Sequence, residues 1–277
     1  IKGNTADVIV DIEIENFTDS KLNLNYDIFI QGTSNKSISF KAGPGVNKKT
    51  VKMKIKKPLL WWPKPLVEPN LYIFNLKVKE GEHILDEHIK RFGIREIRVI
   101  QEKLPLPEGG KSFTFEINGK KVFCKGGNWV PADSIMARVS KEKYRKLVKL
   151  AVEANFNMFR IWGGGIYEDD EFYNQCDENG IMVWHDFMFA CAFYPDDNKE
   201  FRDEVEYETR AAVKRLRNHP SIVIWVGNNE NRAMFESKWY KVDKFYGEKL
   251  YEKMFPNICR ELDPTRFYWP GSPYSPD

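Results

Sequence analysis

An antiparallel β-sandwich followed by repeated strand–helix units is the fold class this 277-residue sequence predicts, from two changes of pattern along the chain. Up to about residue 98, apolar and polar residues alternate in short runs separated by Asn, Gly and Pro, the period-2 pattern of half-exposed strands, with no helical spacing. Beyond about residue 113 the runs alternate between strand and helix patterns. One of them, Ile222–Val226, is apolar without interruption, as a strand covered on both faces is. Four strand–helix repeats with a fifth strand starting make parallel neighbours, so this half is a doubly wound sheet or a (β/α) barrel.

In chain order, Val8–Asn16, Leu22–Gln31, Ser37–Phe40, Thr50–Ile55, Leu71–Lys79 and His83–Phe92 each have strand alternation and turn residues at their ends. Strands this short and closely spaced predict an immunoglobulin-like sandwich over residues 1–99, a fold from which no function follows. Pro105, Pro107, Gly109 and Gly110 mark a linker or edge loop over residues 100–112. Asn118-Gly119, between Phe113–Ile117 and Lys121–Phe123, is the signature of a type I′ hairpin. Ser140 caps a helix whose Tyr144, Leu147, Val148, Ala151 and Val152 share one face, and Asn155 ends it. Then follow strand Asn157–Trp162, helix Asp169–Asn179, strand Ile181–Phe187, helix Lys199–Arg217, strand Ile222–Val226, helix Asp243–Leu262 and the short run Phe267–Trp269. Residues 100–277 thus hold about five of the strands that an eight-stranded barrel needs. The open edge at Phe267–Trp269 calls for cover by further chain or a neighbouring copy, and Pro270–Asp277 has the composition of a site loop.

Composition excludes several classes. With 43 basic and 40 acidic residues interspersed, a net charge of +3 gives no basic block for nucleic acid. No apolar run approaches the roughly 18 residues of a membrane span, and no leader pattern is present. Cys124, Cys176, Cys191 and Cys259 lack metal or disulfide-framework spacing and are expected as thiols in the cytoplasm. No metal or cofactor is called for.

Chemistry belongs at the carboxyl ends of parallel strands. There the sequence places Asn128 and Trp129, then Trp162, then Trp184, His185 and Asp186, then Asn229 and Glu230, and finally Ser272 and Tyr274. Each has a bland alternative: Trp162 as core, His185 as a satisfied buried histidine, Asp186 as a turn cap and Glu230 as the first residue of a helix. Their coincidence at one end of one sheet favours a site.

Several runs resemble the β-mannosidases of glycoside hydrolase family 2: Arg160–Glu168 (RIWGGGIYE), Trp184–Pro195 (WHDFMFACAFYP), Asn218–Ser221 (NHPS) and Trp225–Asn231 (WVGNNEN). Gly126–Asp133 (GGNWVPAD), Leu60–Pro63, Pro69–Tyr72 and Arg91–Arg95 extend the likeness over nearly the whole chain. The resemblance implies a (β/α)8 catalytic domain behind an immunoglobulin-like one, and retaining hydrolysis of terminal β-D-mannose without a cofactor. It makes Glu230 the general acid/base and Asn229 the group on the sugar 2-hydroxyl. Trp162, Trp184 and Asp186 then line the pocket, with Asn128, Trp129 and His185 as further substrate-binding residues. In such enzymes one carboxylic acid protonates the leaving oxygen while a second, about 5 to 5.5 Å away, attacks the anomeric carbon. The family's nucleophilic glutamate lies on a later strand with no counterpart in this chain, and the family's amino-terminal jelly-roll domain is likewise absent. The chain alone is therefore expected to be inactive. The nearest alternative is an exo-β-glucosaminidase, which differs in reading the 2-position, and a different class is a non-catalytic carbohydrate-binding piece. A glutamate ending a seventh strand would separate the enzyme from the latter.

Overall fold

The structure, a computed structural model, describes residues 1, 3–33, 35–107, 109–238 and 242–275. Glu108 of the expected linker, and Pro276 and Asp277 of the loop expected after the fifth strand, lie outside the described residues. The chain divides into two compact units, one of residues 1–60 and 70–94, the other of residues 61–69 and 95–277.

The first unit is a sandwich of antiparallel strands. β1 (Thr5–Asn16) pairs with β4 (Gly45–Lys56), while β2 (Leu22–Ile30), β3 (Lys36–Ala42), β5 (Tyr72–Glu80) and β6 (His83–Phe92) form a sheet in the order β3-β2-β5-β6. Alternation decides which side is buried: Leu24, Tyr26, Ile28 and Ile30 point to the core, where Val51, Met53, Ile55, Leu76 and Val78 meet them. The expected strands are all present, β4 longer than its apolar stretch because Lys and Thr alternate outward along it.

In the second unit a small sheet comes first: β7 (Ile97–Ile100), β8 (Thr114–Ile117) and β9 (Lys120–Val122). The hairpin between β8 and β9 turns on Asn118 and Gly119, both at positive φ as a type I′ turn requires. β7 was not expected as a strand, since four residues before a Pro-rich stretch carry too little alternation to be seen.

Five parallel strands follow: β10 (Gly126–Trp129), β11 (Met158–Ile161), β12 (Met182–Asp186), β13 (Ile222–Val226) and β14 (Phe267–Trp269). They lie side by side in sequence order, without the reversal that defines a doubly wound sheet, so the winding is that of a barrel. Helices α1 (Lys141–Glu153), α2 (Asp170–Asn179) and α3 (Lys199–Leu216) connect them. Their N-caps are Ser140, Asp169 and Asn198, each accepting a backbone N–H in the first turn.

The helix expected over Asp243–Leu262 needs correction. A short α4 (Asn231–Glu236) stands right after β13, residues 243–247 form turns, and a π turn over Leu250–Met254 leads into α5 (Phe255–Leu262). Two residues explain this. Gly247 sits at φ +98°, where a helix cannot pass, and Pro256 has no N–H and would crowd the carbonyl four residues back, which a locally widened helix relieves.

Two arginines close the amino end of β13. Arg95 donates to the carbonyls of Pro220 and Ile222 at 2.8 and 2.6 Å, and Arg266 donates to those of Arg217, His219 and Ile222. Asp177 accepts from Ser221 N–H and pairs with His219, and its carbonyl accepts from Trp61 Nε1 at 2.8 Å. These bonds give the buried loop before β13 the partners that buried backbone must have, and thereby set where β13 begins.

Candidate active site

Strand parity sorts the side chains of the barrel segment into two sets. Trp129, Phe159, Ile161, Val183 and Trp225 belong to the core shared with the helices, together with Tyr144, Phe172, Tyr173 and Phe255. Asn128, Arg160, Trp184 and Asp186 are on the opposite parity, and Arg160 reaches both Asn128 and Asp186 across the strands. The aromatic rings of Phe113, Phe115, Trp184, Phe267 and Trp269 cluster on this inner side, with Phe113 5.1 Å from Trp269 and 5.8 Å from Trp184.

Arg160 is the centre of the polar cluster, and the sequence analysis did not single it out. Its Nη2 donates to Asp186 Oδ2 at 2.7 Å and to Asn229 Oδ1 at 2.8 Å, and its Nη1 to Asn128 Oδ1 at 3.3 Å. The signal was available: an arginine inside the otherwise apolar Met158-Phe-Arg-Ile161 has to find a buried partner. Asp186 is that partner and is fully buried. It also accepts from Trp184 Nε1 at 3.0 Å and Gly163 N–H at 3.1 Å, so donors surround both its oxygens. Burial pushes its carboxyl above the usual range, and Arg160 and the other donors pull it back. Asp186 therefore anchors Arg160 rather than forming exposed pocket wall.

Past the end of β13 the sheet continues as single bridges. Asn229 pairs with Ala190 on one side and Ser272 on the other; Asn229 N–H donates to Phe189 O and Glu230 N–H to Ser272 O, each at 2.9 Å. Gly227 is required here, because a Cβ would lie 2.3 Å from Pro270 O. Glu230 is exposed and adopts φ +64°, a left-handed conformation that costs a non-glycine residue about 1 to 3 kcal/mol and tends to persist at functional positions. Cys191, also left-handed at φ +47°, directs its thiol to Glu230 Oε2 at 3.4 Å. Trp162 is half-buried beyond β11. Gly164 lies against its ring so closely that a Cβ would come within 2.2 Å of the indole.

Two of the expected residues are not brought to this cluster. Trp129 packs among Tyr144, Phe159 and Phe172, and its Nε1 donates to the buried Glu168 at 2.9 Å. His185 is fully buried, its ring beside those of Tyr167, Tyr173 and Trp225. Its Nδ1 lies 2.7 Å from the Asp186 carbonyl and its Nε2 2.8 Å from the Tyr173 hydroxyl, which makes Nδ1 the protonated nitrogen. Burial holds its pKa down at about 3, so the ring is neutral. Both residues follow an inward-facing neighbour by one position, and one position in a strand changes the face. Ser272 bridges to Asn229, while Tyr274 stacks edge-on against Trp269.

A parallel barrel segment with an exposed glutamate and an Arg-Asp-Asn cluster at the carboxyl ends of its strands has its polar groups where barrel enzymes build their sites. The chain belongs to the glycosyl hydrolases family 2: the family's model matches residues 1–95 and the model of its TIM barrel domain matches residues 111–268. The two halves are accordingly an immunoglobulin-like domain and part of a (β/α)8 barrel. Among relatives, beta-mannosidase B of Neosartorya fischeri is 41% identical over 233 residues, covering 79% of this chain and 27% of its own. The crystal structure of the beta-D-mannosidase from Dictyoglomus thermophilum is 42% identical with a TM-score of 0.92, covering 99% of this chain and 34% of that one. The exo-chitosanase of Amycolatopsis orientalis, 19% identical with a TM-score of 0.73 over 97% of this chain and 30% of its own, shares the fold. The chain spans about a quarter to a third of the length of these proteins.

Proposed function

We propose that this chain supplies the acid/base half of a retaining exo-β-mannosidase site that removes terminal non-reducing β-D-mannose. One observation carries the reading: Glu230 is exposed in a left-handed turn beside Asn229, whose amide is oriented by the buried Arg160–Asp186 pair. Glu230, as the acid, donates its proton to the glycosidic oxygen and then, as the base, takes one from water. Because Asn229 Oδ1 already accepts from Arg160 and one Nδ2 hydrogen points to the Cys191 sulfur, its second Nδ2 hydrogen remains to donate toward a sugar hydroxyl. Trp162 and Trp184 offer ring faces to the sugar, Asn128 and Arg160 offer polar contacts, and Trp129 and His185 support these from behind. All of these residues lie in the second of the two compact units. Identity of 42% with the mannosidase structure, against 19% with the exo-chitosanase, favours mannose over glucosamine. Four free thiols fit a reducing compartment such as the cytoplasm.

The test uses a chimaera in which this chain replaces the matching part of the Dictyoglomus thermophilum protein. It should hydrolyse aryl β-mannosides in preference to β-glucosaminides. Glu230→Ala should abolish turnover of substrates with poor leaving groups. A 2,4-dinitrophenyl mannoside, which leaves unaided, should still give a burst followed by slow turnover, with azide restoring the rate as a β-mannosyl azide. Equal loss on both substrates without azide rescue removes the acid/base assignment.

A further inference from the structure

Cys191 stands out among the four cysteines as the exposed one, and it is placed by more than its own side chain. Its N–H donates to Asn229 O at 3.0 Å, and Asn229 N–H donates to Phe189 O, so two backbone bonds tie its loop to the end of β13. Its sulfur lies 3.3 Å from Asn229 Nδ2 and 3.4 Å from Glu230 Oε2. Arg160 settles the roles. Since its guanidinium donates to Asn229 Oδ1, the amide turns its NH2 toward the sulfur, which accepts; the S–H then donates to the carboxylate. A continuous line of donors and acceptors results: Asp186, Arg160, Asn229, Cys191, Glu230.

We propose that Cys191 is a positioning residue that holds the Asn229 amide and the Glu230 carboxylate in fixed relation through a thiol bridge. The inference rests on the acid/base reading of Glu230. A carboxylate on an exposed residue samples several rotamers, and a misplacement of about 1 Å costs an acid catalyst on the order of 100-fold. The bridge restricts that sampling. Cys191 and Glu230 are both left-handed, a backbone state retained where the surroundings over-determine it. The sulfur also carries a distinctive signature, because its two partners act on it in opposite senses: burial and the Glu230 carboxylate push the thiol up, and the Asn229 N–H pulls it down.

The experiment is the rate of carboxamidomethylation of Cys191 by iodoacetamide, followed by peptide mass spectrometry between pH 6 and 10, on the 277-residue chain. In the unsubstituted chain the profile should rise later than that of an ordinary thiol, whose pKa is about 8.5. Glu230→Gln should move it to lower pH and Asn229→Ala to higher pH. A shift of half a unit either way changes the rate at pH 8 by about threefold. The buried Cys176 and Cys259 report unfolding; if Glu230→Gln exposes them, Glu230→Asp replaces it, withdrawing the carboxylate from the sulfur without removing charge. Profiles that coincide, or that shift in the same direction in both variants, overturn the bridge. In the chimaera, Cys191→Ala should lower kcat about tenfold on poor leaving groups and much less on the dinitrophenyl mannoside, with Cys191→Ser recovering most of the loss. Equal loss on both substrates overturns the positioning role. An inactive unsubstituted chimaera overturns the hydrolase reading instead, and the alkylation profiles then decide the bridge by themselves.

Discussion

Arg160→Met isolates the electrostatics of the site from its packing, because methionine retains most of the side-chain stem and deletes the guanidinium. In the wild type the Arg160 side chain is 19% exposed and that of Asp186 is 0% exposed, so the pair is largely shielded from solvent. Removing one member of such a pair costs about 3 to 5 kcal/mol, mostly from the charge left behind. Asp186 keeps the donations of Trp184 Nε1 and Gly163 N–H, which favours the lower end. Asn229 Oδ1 loses its partner, which adds about 1 kcal/mol. The sum is about 4 kcal/mol near pH 7. No tryptophan lies in residues 1–60 or 70–94, so tryptophan fluorescence in a urea titration does not read the first unit and follows the second. The deficit should depend on pH with a definite sign. Burial already raises Asp186, and without Arg160 it rises further. Between the unfolded value of about 3.9 and that raised value, the folded state holds a proton that the unfolded state has released. Stability of the variant therefore falls as pH rises through this window, and its deficit at pH 4 should be smaller than at pH 7. Asp186→Asn in the same chain should recover a large part of the loss. A cost below about 1 kcal/mol at pH 7, or one identical at pH 4 and 7, would show that the pair is screened and that the reasoning fails.

Gly126→Ala should destabilise the second unit by more than about 3 kcal/mol in the same titration, since the new Cβ would meet the Met158 carbonyl carbon at 2.8 Å and its oxygen closer still, forcing β10 from β11; a near-neutral result would mean the strands separate freely. His185→Gln should flatten the acid side of the stability profile. The native ring stays neutral down to about pH 3 while the unfolded one protonates near 6.5, so the wild type loses up to about 1.4 kcal/mol per pH unit in that interval. Between pH 7 and 5 the wild type should lose about 2 kcal/mol more than the variant, and parallel losses would contradict the buried neutral ring. The 277-residue chain by itself should not turn over an aryl β-mannoside. Asp186 is committed to Arg160, and retaining hydrolysis needs a second, free carboxylate; turnover within the ordinary range of about 1 to 1000 per second, free of host glycosidase, would refute this.

The fold was legible where one period ran for long enough. Alternation identified the sandwich strands, seven to twelve residues long, and Ser140, Asp169 and Asn179 marked helix ends where the structure has them. What the sequence concealed were features set by contacts distant along the chain. The run from Asp243 has helical spacing, yet the turn at Gly247 delays the helix to residue 248 and Pro256 widens it into a π turn over Leu250–Met254. The Trp61–Pro69 stretch lies within the segment expected to be sandwich, but Trp61 is fully buried with its indole on Asp177 O, 116 residues away. In the candidate site, position at the end of a strand was visible but facing was not. Trp129 and His185 sit one residue off the inward parity, and a bulge between β12 and β13 shows that counting residues along one strand does not fix its neighbour's phase. Arg160 was passed over because a charge inside an apolar strand reads as an exception until its partner, 26 residues on, is known.

The alternation in β11 has a consequence for how such a chain can change over generations. Phe159 and Ile161 serve the helix-side core, and between them Arg160 serves the mouth, so two instructions for different purposes are interleaved letter by letter. Substitutions at one set leave the other readable, which lets recognition drift while stability is conserved. Gain or loss of a single codon inside the strand does the opposite. It would drive a guanidinium into the ring of Phe172 and turn two hydrocarbon side chains toward solvent, failing both purposes at once. Length variation is thus confined to exposed segments beyond the strand ends, where phase no longer matters and new specificities have room to arise.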